Sequence, residues 1–301
     1  MRGRLLLVGG LVAAVSMPLA SGAVAQGAVE YGQAKVAGLE RTWRLFVPDT
    51  VTRRAPVLVV LHAGGATADE MAAATRMDAA AAAQGFVVIY PQAHGTRFNA
   101  GICCSSVRGD VAFVDRLLDD LQRRFQTDRR RVFAAGFSNG GFMAYRLACQ
   151  RSQRFAAIAA VAATELTVPC RPSHPVSVVH IHARDETKVP FFGGRWARHP
   201  RAGRGYRGSP SAFALARRWR TRNRCRSRRT TVARSATLTT WHTRGCARHT
   251  QVALVAPTLG GHRWFGGLPP YGASDDAIDA TAQIAAFFTG LPVTARKRIR
   301  P

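Results

Sequence analysis

Short apolar runs recur along the middle of this chain: Val57–Leu61, Phe86–Tyr90, Val132–Ala135, Ile158–Val161 and Val176–Ile181. Each is too short for a helix and, Ser177 and His180 apart, apolar throughout rather than alternating, the pattern of strands covered on both faces. Val252–Val255 is a sixth run of this kind, and Thr237–Trp241 is a more polar β-prone segment. Between the runs the period lengthens. Asp110–Phe125 carries Val111, Val114, Leu117, Leu118, Leu121 and Phe125 on one helical face, Gly141–Cys149 reads as a second helix, and a last one opens on a Ser274 cap and ends near Gly290. Strands alternating with helices predict an α/β domain with a mainly parallel sheet flanked by helices. No repeat or linker divides the chain, so one domain is expected over residues 26–295, with a leader at 1–25 and a tail at 296–301.

The sequence Gly136-Phe137-Ser138-Asn139-Gly140 falls at the junction of the run Arg131–Ala135 and the helix Gly141–Cys149. With 28 glycines in the chain, a G-x-S-x-G match alone is weak. On a strand-to-helix turn it is informative, because that turn exposes the serine hydroxyl while the glycines let strand and helix pass closely. The helix also aims its first amides at the place where an oxyanion would form.

A serine hydroxyl is a poor nucleophile until a histidine takes its proton, and the histidine needs an acid to fix its tautomer. On such a scaffold the chain order is Ser, acid, His. After Ser138 the acids before the last helix are Glu165, Asp185 and Glu186, because no Asp or Glu occurs from Thr187 to Ser274. Glu165 follows the apolar run Phe155–Ala163. Asp185 and Glu186 follow Val176–His182, and sites in parallel sheets gather beyond the carboxyl ends of strands. Among the later histidines, His199 and His249 have Arg-rich polar neighbours and His242 directly follows the β-prone segment. His262 lies in Leu259-Gly260-Gly261-His262-Arg263-Trp264-Phe265-Gly266-Gly267, just after a strand, and is the candidate base. Trp264, in the same loop, is the candidate substrate contact. Val57–Leu61 runs into His62-Ala63-Gly64-Gly65, similar to an HGGG loop, so the amides of Ala63 and Gly64 are expected to join that of Asn139 in an oxyanion hole.

From about Arg41 to about Gly290 the blocks PVLVVLHAGG, FNAGICC, DVAFVDRLLDDL, GFSNGGFMAYRLAC, HIHARDETKVPFFGG and LGGHRW follow one another. In this order the chain resembles secreted polyhydroxybutyrate depolymerases and feruloyl esterases. The resemblance implies an α/β-hydrolase fold and acyl-enzyme hydrolysis of polyhydroxyalkanoate, feruloyl or acetyl esters, some polymeric, through Ser138 and His262, with no cofactor. The family's acid loop reads H-G-x-x-D, its acid four residues after the histidine and three before a Val-Pro. From His182, or back from Val189-Pro190, that place holds Glu186, while the aspartate, Asp185, comes one earlier. Glu186 therefore ranks first and Asp185 second.

Arg2 and Arg4, the apolar stretch Leu5–Ala20 and Ala23-Val24-Ala25 read as an export leader cleaved near Ala25, which places the mature chain outside the cell or in a periplasm. No other segment is long and apolar enough for a transmembrane span. The six cysteines suit an oxidising compartment. The expected pairs are Cys149 with Cys170 and Cys225 with Cys246, leaving Cys103 and Cys104 as a vicinal bridge or two thiols. No C-x-x-C or H-E-x-x-H is present, so no metal is expected. The formal charge is +26, with sixteen arginines and no carboxylate from Arg195 to Arg248. Such a surface attracts polyanions without selecting among them, and no nucleic-acid fold signature points to a specific nucleic-acid partner. The alternative to an enzyme is a polyanion-binding protein on a hydrolase scaffold.

Overall fold

The structure, a computed structural model of the chain, describes residues 26–194, 208–226, 229–273 and 276–291. The leader at 1–25, the tail at 296–301, His199 and Ser274 lie outside the described residues. The apolar runs become β3 (Val57–Leu61), β4 (Val87–Pro91), β5 (Val132–Phe137), β6 (Ala157–Val161), β7 (Ser177–Ile181) and β10 (Val252–Pro257). All six are parallel, in the order β4-β3-β5-β6-β7-β10. Every residue of these strands is buried, which is why they lack the alternation of a half-exposed sheet.

Antiparallel strands extend the sheet at both sides. The hairpin β1 (Gly27–Val36) and β2 (Leu39–Pro48) joins β4, and the pair β8 (Thr230–Arg234) and β9 (Leu238–Thr243) joins β10, giving ten strands in all. Helices α3 (Asp110–Phe125), α4 (Asn139–Gln150) and α5 (Ala212–Arg222) cover one face. On the other face lie α1 (Ala68–Thr75), α2 (Met77–Gln84) and α6 (Ala280–Thr289). Helix α6 starts six residues beyond the expected Ser274 cap; its first amides are instead capped by the Asp279 side chain, which accepts from the amide of Ala282.

Three disulfides tie the described residues: Cys103–Cys104, Cys149–Cys170 and Cys225–Cys246. No helix among the described residues is long and apolar enough to cross a membrane.

Candidate active site

Ser138 stands between the end of β5 and the start of α4, half-buried, with φ 51° and ψ −115°. Its amide donates to the Val161 carbonyl at 2.9 Å and its carbonyl accepts from Phe142 at 3.0 Å. The backbone is thereby pinned in a region costly for a residue with a Cβ. The two glycines of the motif are there for space. A Cβ on Gly136 would lie 2.3 Å from the Gly140 backbone, and one on Gly140 would lie 2.0 Å from the Leu61 carbonyl oxygen.

His262 comes from the loop after β10, where Gly260 and Gly261 take φ values of 140° and 58°. This turn brings His262 Nε2 to 2.9 Å from Ser138 Oγ and Nδ1 to 2.7 Å from Glu186 Oε2. The Phe137 ring backs the imidazole, with centroids 5.0 Å apart. Glu186 is buried, and its other oxygen accepts from the amides of Lys188 at 2.6 Å and Val189 at 3.3 Å. Burial pushes its carboxyl up. The hydrogen bond and charge of His262 and the two amides outweigh it and hold the group below the usual carboxylate range.

Asp185 does something else. Its exposed carboxylate accepts from the amides of Gly260 at 3.2 Å and Gly261 at 2.8 Å, so it holds the loop that carries His262 without touching the imidazole. The third acid, Glu165, makes a bidentate ion pair with Arg222, at 2.5 and 2.9 Å. It also lies beside Cys149 and Cys170. With both sulfurs in a disulfide and the carboxylate paired with an arginine, that cluster has no free metal ligand. His242 is bonded to Gln251 on the antiparallel flank, and His249 is exposed.

The loop after β3 is built around His62, which is fully buried and stands 4.7 Å from the Phe98 ring, centroid to centroid. Its Nε2 accepts from the amide of Ala93 at 3.0 Å, so Nδ1 carries the proton and donates to the Ala63 carbonyl at 2.7 Å. Burial lowers its pKa and keeps it neutral, as this pattern requires. Fixing the Ala63 carbonyl fixes the peptide plane to which the Gly64 N–H belongs. Opposite, the Asn139 side chain clasps Phe98, accepting from its amide at 2.7 Å and donating to its carbonyl at 3.1 Å. The Asn139 amide is the first of α4 and has no intrahelical acceptor.

Trp264 is not a substrate contact. It is fully buried, and its Nε1 donates to Thr281 Oγ1 at 2.9 Å, because the loop after His262 turns inward and anchors on the first turn of α6.

One group escaped the sequence reading. His180 and His182 lie two apart on β7 and its end, and therefore on one face of the sheet. Tyr145 Oη, His180 and His182 form a buried chain with links of 2.9 Å, and His182 Nε2 lies 2.8 Å from the Val189 carbonyl. A carbonyl only accepts, so Nε2 of His182 bears its proton, Nδ1 accepts from His180 Nε2–H, and His180 Nδ1 accepts from Tyr145. Burial is the main reason that His182 falls to about 4 and that His180 is also lowered strongly. The chain ends on Val189, whose amide binds Glu186, so it anchors the acid loop. The signal was available: histidines within and just after a buried strand must have partners.

Residues 42–184 match the sequence profile of the family described as Esterase PHB depolymerase. NocK of Nocardia uniformis subsp. tsuyamanensis is 32% identical over 167 residues, which cover 52% of this chain and 48% of that protein. The bifunctional acetylxylan esterase/xylanase XynS20E of Neocallimastix patriciarum is 25% identical over 151 residues, 50% of this chain and 22% of that one. Feruloyl esterase B of Piromyces equi is 27% identical over 155 residues, 48% of this chain and 28% of that one. The chain thus spans about half or less of the length of these curated relatives. Among solved structures, the acetyl xylan esterase from Aspergillus awamori superposes with a TM-score of 0.61 at 12% identity, over 86% of this chain and 99% of that one, a likeness of fold. By profile over residues 42–184 and by relatives, the chain is similar to the polyhydroxybutyrate depolymerase and feruloyl esterase-like family, and its fold is that of an α/β-hydrolase.

Proposed function

We propose that this chain is a secreted serine esterase that cleaves carboxylic esters through a Ser138–His262–Glu186 triad. The observation that carries the reading is the line of two hydrogen bonds, 2.9 Å from Ser138 to His262 and 2.7 Å from His262 to Glu186. Because Glu186 is an ionised acceptor, it takes the Nδ1–H of His262 and leaves Nε2 free to accept the serine proton. Ser138 Oγ attacks the ester carbonyl, and the amides of Asn139 and of the Ala63–Gly64 segment hold the oxyanion. His262 passes its proton to the leaving alcohol, giving an acyl-enzyme. Water then repeats the sequence and releases the acid.

The family profile and the relatives support an acyl group of the hydroxyalkanoyl, feruloyl or acetyl kind. The described disulfides support an oxidising compartment reached after cleavage near Ala25, with residues 26–295 as one catalytic domain. Nonspecific contact between the Arg-rich face and polyanions is compatible with turnover.

The test compares turnover of p-nitrophenyl acetate, methyl ferulate and hydroxybutyrate oligomers by the parent and by Ser138→Ala. The expected result is parent turnover of at least one of them and a loss of about three or more orders of magnitude in the variant. A folded Ser138→Ala protein with full activity, or a folded parent inert toward all three, sinks the reading.

A further inference from the structure

A cavity of about 380 Å³ lies on the side of the sheet away from α1, between α5 and the strands β9 and β10. That is within the range of small-molecule sites, and none of its lining residues belongs to the Ser138 site. Its floor is apolar, formed by Val252 and Leu254 of β10 and by Ala214 and Ala216 of α5. Phe213 and Trp241 form one end, edge to face with centroids 5.0 Å apart. Such a pair presents both a ring face and a ring edge to a flat guest.

Toward the far end of α5 the lining changes to Arg217 and Arg220. They stand three apart and so neighbour each other on the helix surface, where like charges repel. Neither has an ion-pair partner among the described residues, and none can come from nearby sequence, since no Asp or Glu occurs from Thr187 to Ser274. Arg222, two residues beyond Arg220, shows the contrast: it is neutralised by Glu165. Two unpaired guanidinium forks at one end of a ring-walled apolar slot are complementary to one kind of small molecule, a carboxylate on a flat apolar body.

We infer that this cavity binds an aryl carboxylate, its ring against Phe213 and Trp241 and its carboxylate on Arg217 and Arg220. The acid released by the ester cleavage proposed above is of this class when the acyl group is aromatic; that link, and only that link, rests on that reading. The cavity also adjoins the acid loop. Phe213 stands edge-on to Phe191 at 5.2 Å, and Phe191 edge-on to His182 at 5.6 Å.

The experiment is isothermal titration of the full chain with cinnamate, octanoate and cinnamyl alcohol at low ionic strength. Cinnamate should bind saturably, one per chain, and cinnamyl alcohol and octanoate at least about tenfold more weakly, one lacking the charge and the other the ring. Arg217→Gln/Arg220→Gln should weaken cinnamate at least about tenfold while leaving turnover of p-nitrophenyl acetate at the parent value. Trp241→Ala should weaken cinnamate and leave octanoate unchanged. The inference is overturned if cinnamate does not bind, if cinnamyl alcohol or octanoate binds as tightly, or if the double variant keeps the parent affinity, which would place cinnamate at Ser138. A parent without ester turnover would sink the esterase reading and leave this titration able to decide the cavity.

Discussion

Replacing Glu186 by glutamine keeps the size of the side chain and tests the triad at the position where the sequence offers two adjacent acids. The carboxylate uses its oxygens differently: Oε1 accepts from the amides of Lys188 and Val189, and Oε2 from His262 Nδ1 at 2.7 Å. A glutamine has one oxygen. Turning its NH₂ toward the two amides would set donor against donors and forfeit two buried hydrogen bonds, on the order of 2–6 kcal/mol. The oxygen therefore stays with the amides and the NH₂ faces His262. It then donates to Nδ1, which forces the imidazole proton onto Nε2, where the serine proton has to go. A wrong tautomer of this kind costs about 10⁴ in turnover, or about 5.5 kcal/mol at roughly 1.4 kcal/mol per decade. Asp185→Asn keeps an oxygen for the Gly260 and Gly261 amides and should lose less than about tenfold. The assay is kcat/KM on p-nitrophenyl acetate for both variants, with circular dichroism to establish folding. A folded Glu186→Gln enzyme within tenfold of the parent, or a larger loss in Asp185→Asn, refutes the assignment.

Three further outcomes follow from the same geometry. Ser138→Gly and Ser138→Ala should both be inactive, but the glycine variant should melt higher. A Cβ at φ 51° and ψ −115° costs about 1–3 kcal/mol, against about 0.4–1 kcal/mol of extra unfolded-chain entropy for glycine; an equal or lower Tm removes the argument for strain. Gly140→Ala places a methyl group 2.0 Å from the Leu61 carbonyl, a clash with backbone that should cost about 1–3 kcal/mol or more in urea unfolding, and a variant as stable as the parent refutes the close approach. In acid, stability should fall as pH drops from 6.5 toward 4, because His182 is held neutral down to about 4 in the fold while the unfolded chain takes up that proton near 6.5. The loss from this group is about 3 kcal/mol at roughly 1.4 kcal/mol per pH unit, and a flat urea-unfolding profile over that window contradicts it.

The buried strands and the serine turn were legible because a wholly apolar run has few other uses and because the G-x-S-x-G glycines answer local demands. Gly140 and Gly141 crowd against Leu61, Ala163 and Gly136, contacts set by a single turn and its nearest strands. The acid was harder. Asp185 and Glu186 are adjacent, and a one-residue step in a loop decides which carboxylate faces His262 and which faces the glycine amides. Trp264 was misread because its proximity to His262 in sequence says nothing about a loop that turns back into the core. The hairpin β1–β2 went unread because one of its faces is exposed and its residues alternate, with Gly32 left bare for the Trp43 ring of the partner strand. His62, read only as the head of a glycine loop, depends on Gln92 and Ala93 some thirty residues away, which no local pattern reveals.

Among the described residues the sheet does not close on itself, and its last strand on one side is β8, whose residues are almost all exposed. A free strand edge is a template on which another chain can add, and proteins guard against it with charge. Arg234 sits in β8, Arg229 immediately precedes it, and no acid in the surrounding sequence from Thr187 to Ser274 offsets them. Part of the arginine excess therefore acts as a gatekeeper: an approaching second copy would set like charges against like along the open edge. Replacing these arginines by apolar β-formers would leave the Ser138 site intact and make the protein prone to edge-to-edge aggregation.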